Sequence, residues 1–253
     1  MKTGLLTDPY GNLIGSGGAV SPPVLDANHI YAYACSEPNG SQSIQNSGNG
    51  ANGDLTIQGT EYVDYVLNSN AFGKNCKSFR NLHHGGIGGA WSGTSCFMSG
   101  TSITIEAFIM GNCLQAGAAL ATIAAAYGNT PGYDFIIIET TSDDNSYRVR
   151  MGVNGIMLTT GLFTINNDAK AHHIMGSYDG TTGILNVYVD GGIEVTATYG
   201  FARSFQPMIC FSIGNSYNST TNSYRGWINQ IRFSNIARST SYAITTTEIL
   251  VNI

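Results

Sequence analysis

The chain has 253 residues, of which 11 are Lys or Arg and 16 Asp or Glu, giving a net charge of −5 and only 11% charged residues, less than half the roughly 25% of an ordinary soluble domain. In their place stand 23 Asn, 23 Ser, 24 Thr and 32 Gly, while 42% hydrophobic residues, with 14 Tyr and 10 Phe, supply a core. General disorder is excluded by the aromatics and low charge, a nucleic-acid partner by the lack of any Lys/Arg run, and a membrane helix by the lack of an apolar stretch near 18 residues.

Residues 1–28 hold Pro9, Pro22 and Pro23 around Gly15-Ser16-Gly17-Gly18. They read as an extended N-terminal arm that lies on a surface, either its own domain or an assembly neighbour. No apolar segment follows Met1-Lys2-Thr3-Gly4, so no secretory signal is expected.

From His29 onward the pattern has period two. Ile103, Ile105, Ala107 and Ile109 alternate with Thr104, Glu106 and Phe108; Tyr147, Val149, Met151 and Val153 alternate with Arg148 and Arg150. The same alternation sets Leu185, Val187 and Val189 against Asn186 and Tyr188, and Ile209, Phe211 and Ile213 against Cys210 and Ser212. Each run is short and ends in Gly, Asn or Asp, as strands do. Tyr133–Ile138 is apolar on both faces, which suits a strand in the middle of a sandwich. Asp190-Gly191-Gly192 is a hairpin signal, and residues 178–183 form a longer turn. The alanines between Leu114 and Tyr127 favour a helix, but Gly117 and the β-rich sequence that follows oppose it. Residues 241–253 read as a β-prone tail. Five cysteines (Cys35, Cys76, Cys96, Cys113, Cys210) without CxxC spacing read as buried thiols rather than a zinc site.

Five stretches, in order, resemble the laminin-G-like (concanavalin A-like) jelly-roll family. They are Ser43–Leu55 with its Asn-Ser-Gly-Asn-Gly turn, Ser102–Ile109, Ala171–Gly180 containing His172-His173, Leu185–Gly191, and Tyr224–Phe233. The match spans residues 29–240 and implies an all-β, antiparallel jelly-roll β-sandwich. Ala171 stands where the family has Trp, and Asn229-Gln230 where it has an acidic pair.

Glycoside hydrolases share this fold class, and their chemistry needs two carboxylates facing one cleft. On a strand such a pair sits at i and i+2, and the sixteen acids contain no such spacing. Glu139 with Asp143, and Asp190 with Glu194, straddle turns and read as solvated carboxylates. The chain is therefore expected not to be an enzyme. Adjacent strand side chains point to opposite faces, so His172 and His173 cannot chelate one ion, and the resemblance gives the strand-start His a turn-fixing role. His83-His84 sits in a glycine-rich loop with no third ligand near in sequence. A calcium ion takes Asp, Asn and carbonyl oxygens; the resemblance implies such a site, and Asn49, Asn52 and Asp54 are its candidates, with Asp143, Asp144 and Asn145 as a second cluster. Sugar binding needs an aromatic face and edge hydrogen bonds. Trp91, Tyr133, Tyr217 and Tyr224 are the candidate platforms, with Asn218 beside them; Trp227 reads as packing.

The expected function is that of a non-enzymatic virion structural protein: a bacteriophage capsid decoration, head-fibre or tail-associated subunit, made in the host cytoplasm. Its arm at residues 1–28 would hold other virion proteins and its lectin-like sandwich a surface glycan, in a homo-oligomer. Uncharged Gly/Ser/Thr/Asn surfaces suit dense packing, because burying a hydroxyl that finds a partner costs far less than burying a charge. The alternatives are a free-standing carbohydrate-binding module and, behind it, a glycoside hydrolase.

Overall fold

The structure is a computed structural model that describes residues 26–33, 41–58, 63–67, 77–81, 89–111, 120–129, 133–141, 146–165, 172–216, 224 and 226–239. These form seventeen strands: β1 His29–Tyr33, β2 Ser43–Ile44, β3 Leu55–Gln58, β4 Val63–Leu67, β5 Lys77–Asn81, β6 Gly89–Trp91, β7 Ile103–Gly111, β8 Ala121–Gly128, β9 Phe135–Thr140, β10 Ser146–Val153, β11 Ile156–Thr159, β12 Phe163–Thr164, β13 His172–Asp179, β14 Ile184–Val189, β15 Gly192–Thr198, β16 Met208–Ile213 and β17 Gly226–Ser234. Residues 1–25 of the expected arm at 1–28, the tail, and Cys35, Cys76 and Cys113 lie outside the described residues; Cys96 and Cys210 are free, buried thiols.

Two antiparallel sheets form a β-sandwich. One has eight strands, in the order β15-β14-β13-β7-β17-β5-β4 with β1 also paired to β17; the other has nine, in the order β11-β10-β9-β8-β16-β6-β3-β2 with β12 also paired to β10. The period-two pattern is the reason. Ile103, Ile105, Ala107 and Ile109 of β7 face Tyr147, Val149 and Met151 of β10 across one continuous core. The alanine-rich stretch is strand, not helix, over Ala121–Gly128, because its Ala and Ile side chains fill a sheet interior. β9 is buried along its whole length, as its apolar sequence requires. The expected alternation in β16 is broken. A bulge between Met208 and Cys210 turns Met208 into the core with Phe211 and Ile213 and leaves Ile209 half-buried.

Turns follow from residue type. Asn154-Gly155 and Asp190-Gly191 each occupy two consecutive positive-φ positions, at 51° and 74° and at 49° and 84°, the two-residue hairpin geometry whose twist suits flanking strands.

The outward face of the eight-stranded sheet holds a buried charge network. Glu106 on β7, 1% exposed, accepts a hydrogen bond at Oε2 from His173 Nε2 of β13 at 2.9 Å. Its Oε1 is 3.9 Å from both His29 Nε2 of β1 and Arg232 Nη1 of β17. Burial pushes the Glu106 carboxyl up, but the His173 hydrogen bond and the Arg232 charge outweigh it, and the group lies below its ordinary value. Arg238, in the segment after β17, closes the network. Its backbone N–H donates to Thr104 Oγ1 and Ser177 Oγ, its Nε to Ser234 Oγ, and its two terminal nitrogens to both oxygens of Asp26 at 3.0 and 2.9 Å.

Asp26 and His29 both respond to this clasp. The Arg238 hydrogen bond holds the Asp26 carboxyl down at about 2. Burial, reinforced by the Arg238 charge, lowers His29 from its ordinary 6.5. Its Nδ1 accepts from the Asp26 N–H at 3.0 Å, so the neutral ring presents Nε2–H toward Glu106. Groups that bind protons more weakly when folded lose stability as acid is added. The His29 contribution is whole above about pH 6.5 and fades below it, and that of Asp26 is whole above about 3.8 and fades toward 2. Urea midpoints should therefore fall steadily from pH 7 to pH 3. Arg238→Ala should lower the neutral midpoint and flatten the acid part of the profile; a variant profile parallel to the parent would contradict the clasp.

Candidate glycan-binding face

The outward face of the nine-stranded sheet is set by the same alternation. In β9, Ile136 and Ile138 enter the core, so Phe135, Ile137 and Glu139 point out; in β10, Tyr147, Val149 and Met151 enter it, so Arg148, Arg150 and Gly152 point out. Register then lines up Trp91, Ser212, Ala125, Ile137, Arg150 and Thr159 across six strands. A second row holds Cys210, Tyr127, Phe135, Gly152 and Met157. Four inter-strand steps separate Trp91 from Arg150, about 19 Å; these two ends are half-buried, and Ser212, Ala125 and Ile137 between them are buried.

Glu139 organises this face. It is 1% exposed, not the solvated turn carboxylate expected from its place near a turn, because it opposes Arg148 in the β9–β10 register. Arg148 Nε donates to its Oε1 at 2.6 Å, and Arg150 Nη2 donates to its Oε2 at 2.9 Å. The Arg150 guanidinium lies 5.8 Å from the centroid of the Phe135 ring. These charge-assisted bonds fix two long side chains, each 23% exposed.

The structure brings Trp91 and Tyr133 to this same face. Trp91 is half-buried on β6, in the row that runs to Arg150. Tyr133, 50% exposed, precedes Phe135 by two residues, and its ring lies over Gly155, where a Cβ would come within 3.0 Å of it. Tyr133 and Trp91 are about 20 Å apart by strand spacing and rise. Tyr224 is corrected: it is 0% exposed and belongs to the core cluster, so it packs rather than presents a platform. Trp227 is half-buried on β17, off the core side of that strand. Tyr217, Asn218, His83-His84 and Asp143–Asn145 lie outside the described residues.

The calcium candidates do other work. The turn at residues 46–54 docks on β1, and its successive carbonyls each meet a proton donor. Gly50 O accepts from Asn46 Nδ2, Ala51 O from Tyr31 Oη, Asn52 O from Cys96 Sγ, and Gly53 O from Tyr33 Oη. Asn49 Nδ2 donates to the Asp26 and His29 carbonyls, Asn52 takes φ 55°, and Asp54 Oδ1 accepts the Asn46 N–H. A Cβ at Gly50 would fall 2.6 Å from the Tyr31 ring, so the Gly-rich spacing serves close approach. Asn49, Asn52 and Asp54 thus each have a structural role in this turn.

His172 has the expected turn-fixing role: its Nδ1 is 2.7 Å from Asp190 Oδ2, while Asp190 Oδ1 accepts the His173 N–H at 2.8 Å. The Glu106 partner of His173, 67 residues away in sequence, was not visible from spacing. Arg148, Arg150 and Glu139 were also missed as a site. The available signal was two arginines at i and i+2 on one strand of a hairpin whose other strand carries a lone acid.

Residues 86–242 match the family described as the concanavalin A-like lectin/glucanases superfamily. No curated protein sequence matches the chain. Among solved structures, the binding domain of botulinum neurotoxin DC in complex with SialylT is similar at a TM-score of 0.62 and 12% identity, over 88% of this chain and 52% of that one. Domain 4 of AbnA, an extracellular GH43 arabinanase of Geobacillus stearothermophilus in complex with arabinotriose, gives 0.60 and 16% over 87% and 98%. A Trypanosoma rangeli sialidase gives 0.57 and 14% over 91% and 34%. The chain thus spans about half of the neurotoxin domain and a third of the sialidase. At these identities the likeness is one of fold.

Removing Glu139 leaves two half-buried arginines without their counter-charge. Glu139→Ala should cost about 2–3 kcal/mol, read as a lower denaturant midpoint at unchanged slope, with Glu139→Gln costing less. Equal stability of both variants with the parent would contradict the organising role.

Proposed function

The chain belongs to the concanavalin A-like lectin/glucanases superfamily, and on that premise we propose that it is a non-enzymatic glycan-binding module whose binding face is the outer side of the nine-stranded sheet. The observation that supports this reading is that accessible aromatic and cationic side chains share one outer face: Trp91, Tyr127, Arg148 and Arg150 are half-buried and Tyr133 is exposed, while Ser212, Ala125 and Ile137 between Trp91 and Arg150 are buried. An aromatic ring covers the apolar side of a sugar, and fixed guanidinium N–H groups address its oxygens. The glycan complexes of structural neighbours, arabinotriose for the arabinanase domain and SialylT for the neurotoxin domain, support the same class of ligand.

Placement of the acids supports binding over hydrolysis. Glycosidases set two carboxyl groups within roughly 5–9.5 Å across one bond. Three acids are buried among the described residues: Glu106 and Glu139 lie on opposite outer faces, each held by side-chain hydrogen bonds, and Asp134 accepts the Asn154 N–H. Titration against a panel of oligosaccharides should give at least one ligand whose affinity drops about tenfold in Trp91→Ala, roughly 1.4 kcal/mol. No binding to any member at high protein concentration would sink the module reading.

The virion setting is proposed on the Gly/Pro-rich residues 1–28 and the uncharged Gly/Ser/Thr/Asn composition. Deleting residues 1–28 should leave a folded sandwich that no longer incorporates into particles; full incorporation would refute the arm's role.

A further inference from the structure

Resting on the glycan reading, we infer that the face selects an acidic sugar, with a carboxylate seated on the Arg148–Arg150 pair. Three observations point there. The first is charge. Two guanidinium groups share one carboxylate, so the cluster carries one net positive charge in a chain of net charge −5. Along the described strands, the other outward positions of this face, among them Thr56, Trp91, Thr122, Ala125, Tyr127, Ile137, Ser212, Met157 and Thr159, are all uncharged. Several of them (Thr122, Ala125, Ile137, Ser212) are buried, and an anionic group seated at the arginine pair meets no second carboxylate among them.

The second is unused donors. Among the described residues Arg148 is hydrogen-bonded through Nε alone, which leaves the four N–H bonds of its terminal nitrogens. Arg150 Nη1 has only the Met157 sulfur, at 3.8 Å, a weak acceptor. The planar fork of a guanidinium matches a carboxylate with two parallel bonds.

The third is preorganisation. Buried Glu139 and the Phe135 ring already hold the two heads in place. A ligand carboxylate therefore meets ordered donors and spends little binding energy on freezing flexible side chains. A lone surface arginine lacks that advantage.

The probes are oligogalacturonate, its fully methyl-esterified form, sialyllactose, lactose and a carrageenan oligosaccharide, sulfated but free of carboxylates, titrated calorimetrically into the full chain at low and high salt. At least one carboxylated probe should bind about tenfold or more tighter than its uncharged counterpart, an advantage that shrinks with salt. Arg148→Gln, with its fold verified by thermal melting, should bring the acid-to-neutral ratio close to one, and Arg148→Lys should restore part of it. Equal affinity for acid and neutral forms in the parent chain would overturn the inference while leaving the glycan module standing. Preference for the sulfated probe alone would overturn the carboxylate assignment. Binding of none of the five would overturn this inference, while the glycan reading falls only if the wider oligosaccharide panel is silent as well. The acid-to-neutral ratio of the parent chain needs no variant, so a misfolded mutant does not block the test.

Discussion

A carboxylate buried against a β-sheet is tolerated only when neighbouring strands bring it hydrogen bonds and charge, and Glu106 and Glu139 are met in this way on opposite outer faces. Glu106 draws on three strands: His173 from β13, Arg232 from β17 and His29 from β1. Glu139 draws both of its arginines from β10. Each arrangement exists only in one register. A slip of a single residue would send the partners to the opposite face and strand a buried charge, at a cost of several kcal/mol. The apolar core specifies the sandwich, and these two charges help pin which residue lies beside which.

The same condition divides the two faces by task. The cluster around Glu106 is closed over: His173 is 0% and Arg232 4% exposed, and the segment carrying Arg238 crosses it. The cluster around Glu139 is open at its cationic rim, with each arginine side chain 23% exposed. Closed, such a network is structural. Open, with donors to spare, it can exchange solvent for a ligand. That contrast, rather than residue type, separates a staple from a binding site here.

Alternation made the strands legible in the sequence, including the fully buried β9, because period two is a direct imprint of a sheet with a covered face. What alternation reports is which residues share a face, and it is silent on which strands are neighbours. Trp91 is half-buried on the outer side of β6, while Tyr224, equally aromatic, is core. The partners of Glu106 lie 67 and 126 positions away in the chain, beyond any local pattern. Bulges hid as well. At Met208–Cys210 and between Asn229 and Arg232 one extra residue resets the phase, and Gln230 takes φ 44° to do so. The Asn/Gly turn at residues 46–54 looked like an ion loop because both uses favour Asn and Gly. The proton donors arriving from Tyr31, Tyr33 and Cys96, which dock the turn, come from distant strands and carry no local signal.

The contact between Asp26 and Arg238 has a mechanical meaning. β1 and β17 are antiparallel neighbours, with His29 opposite Ser234, so the strand that enters the sandwich and the strand that leaves it do so at the same end. Tension applied through the flanking chain would open this pair like a zipper, one rung at a time, instead of shearing many rungs together. The first rung to carry load is the bidentate Arg238–Asp26 bond, backed by the bond from the Asn235 N–H to the Asn28 carbonyl. A domain built this way hangs from a single latch, and acid is the natural means of releasing it.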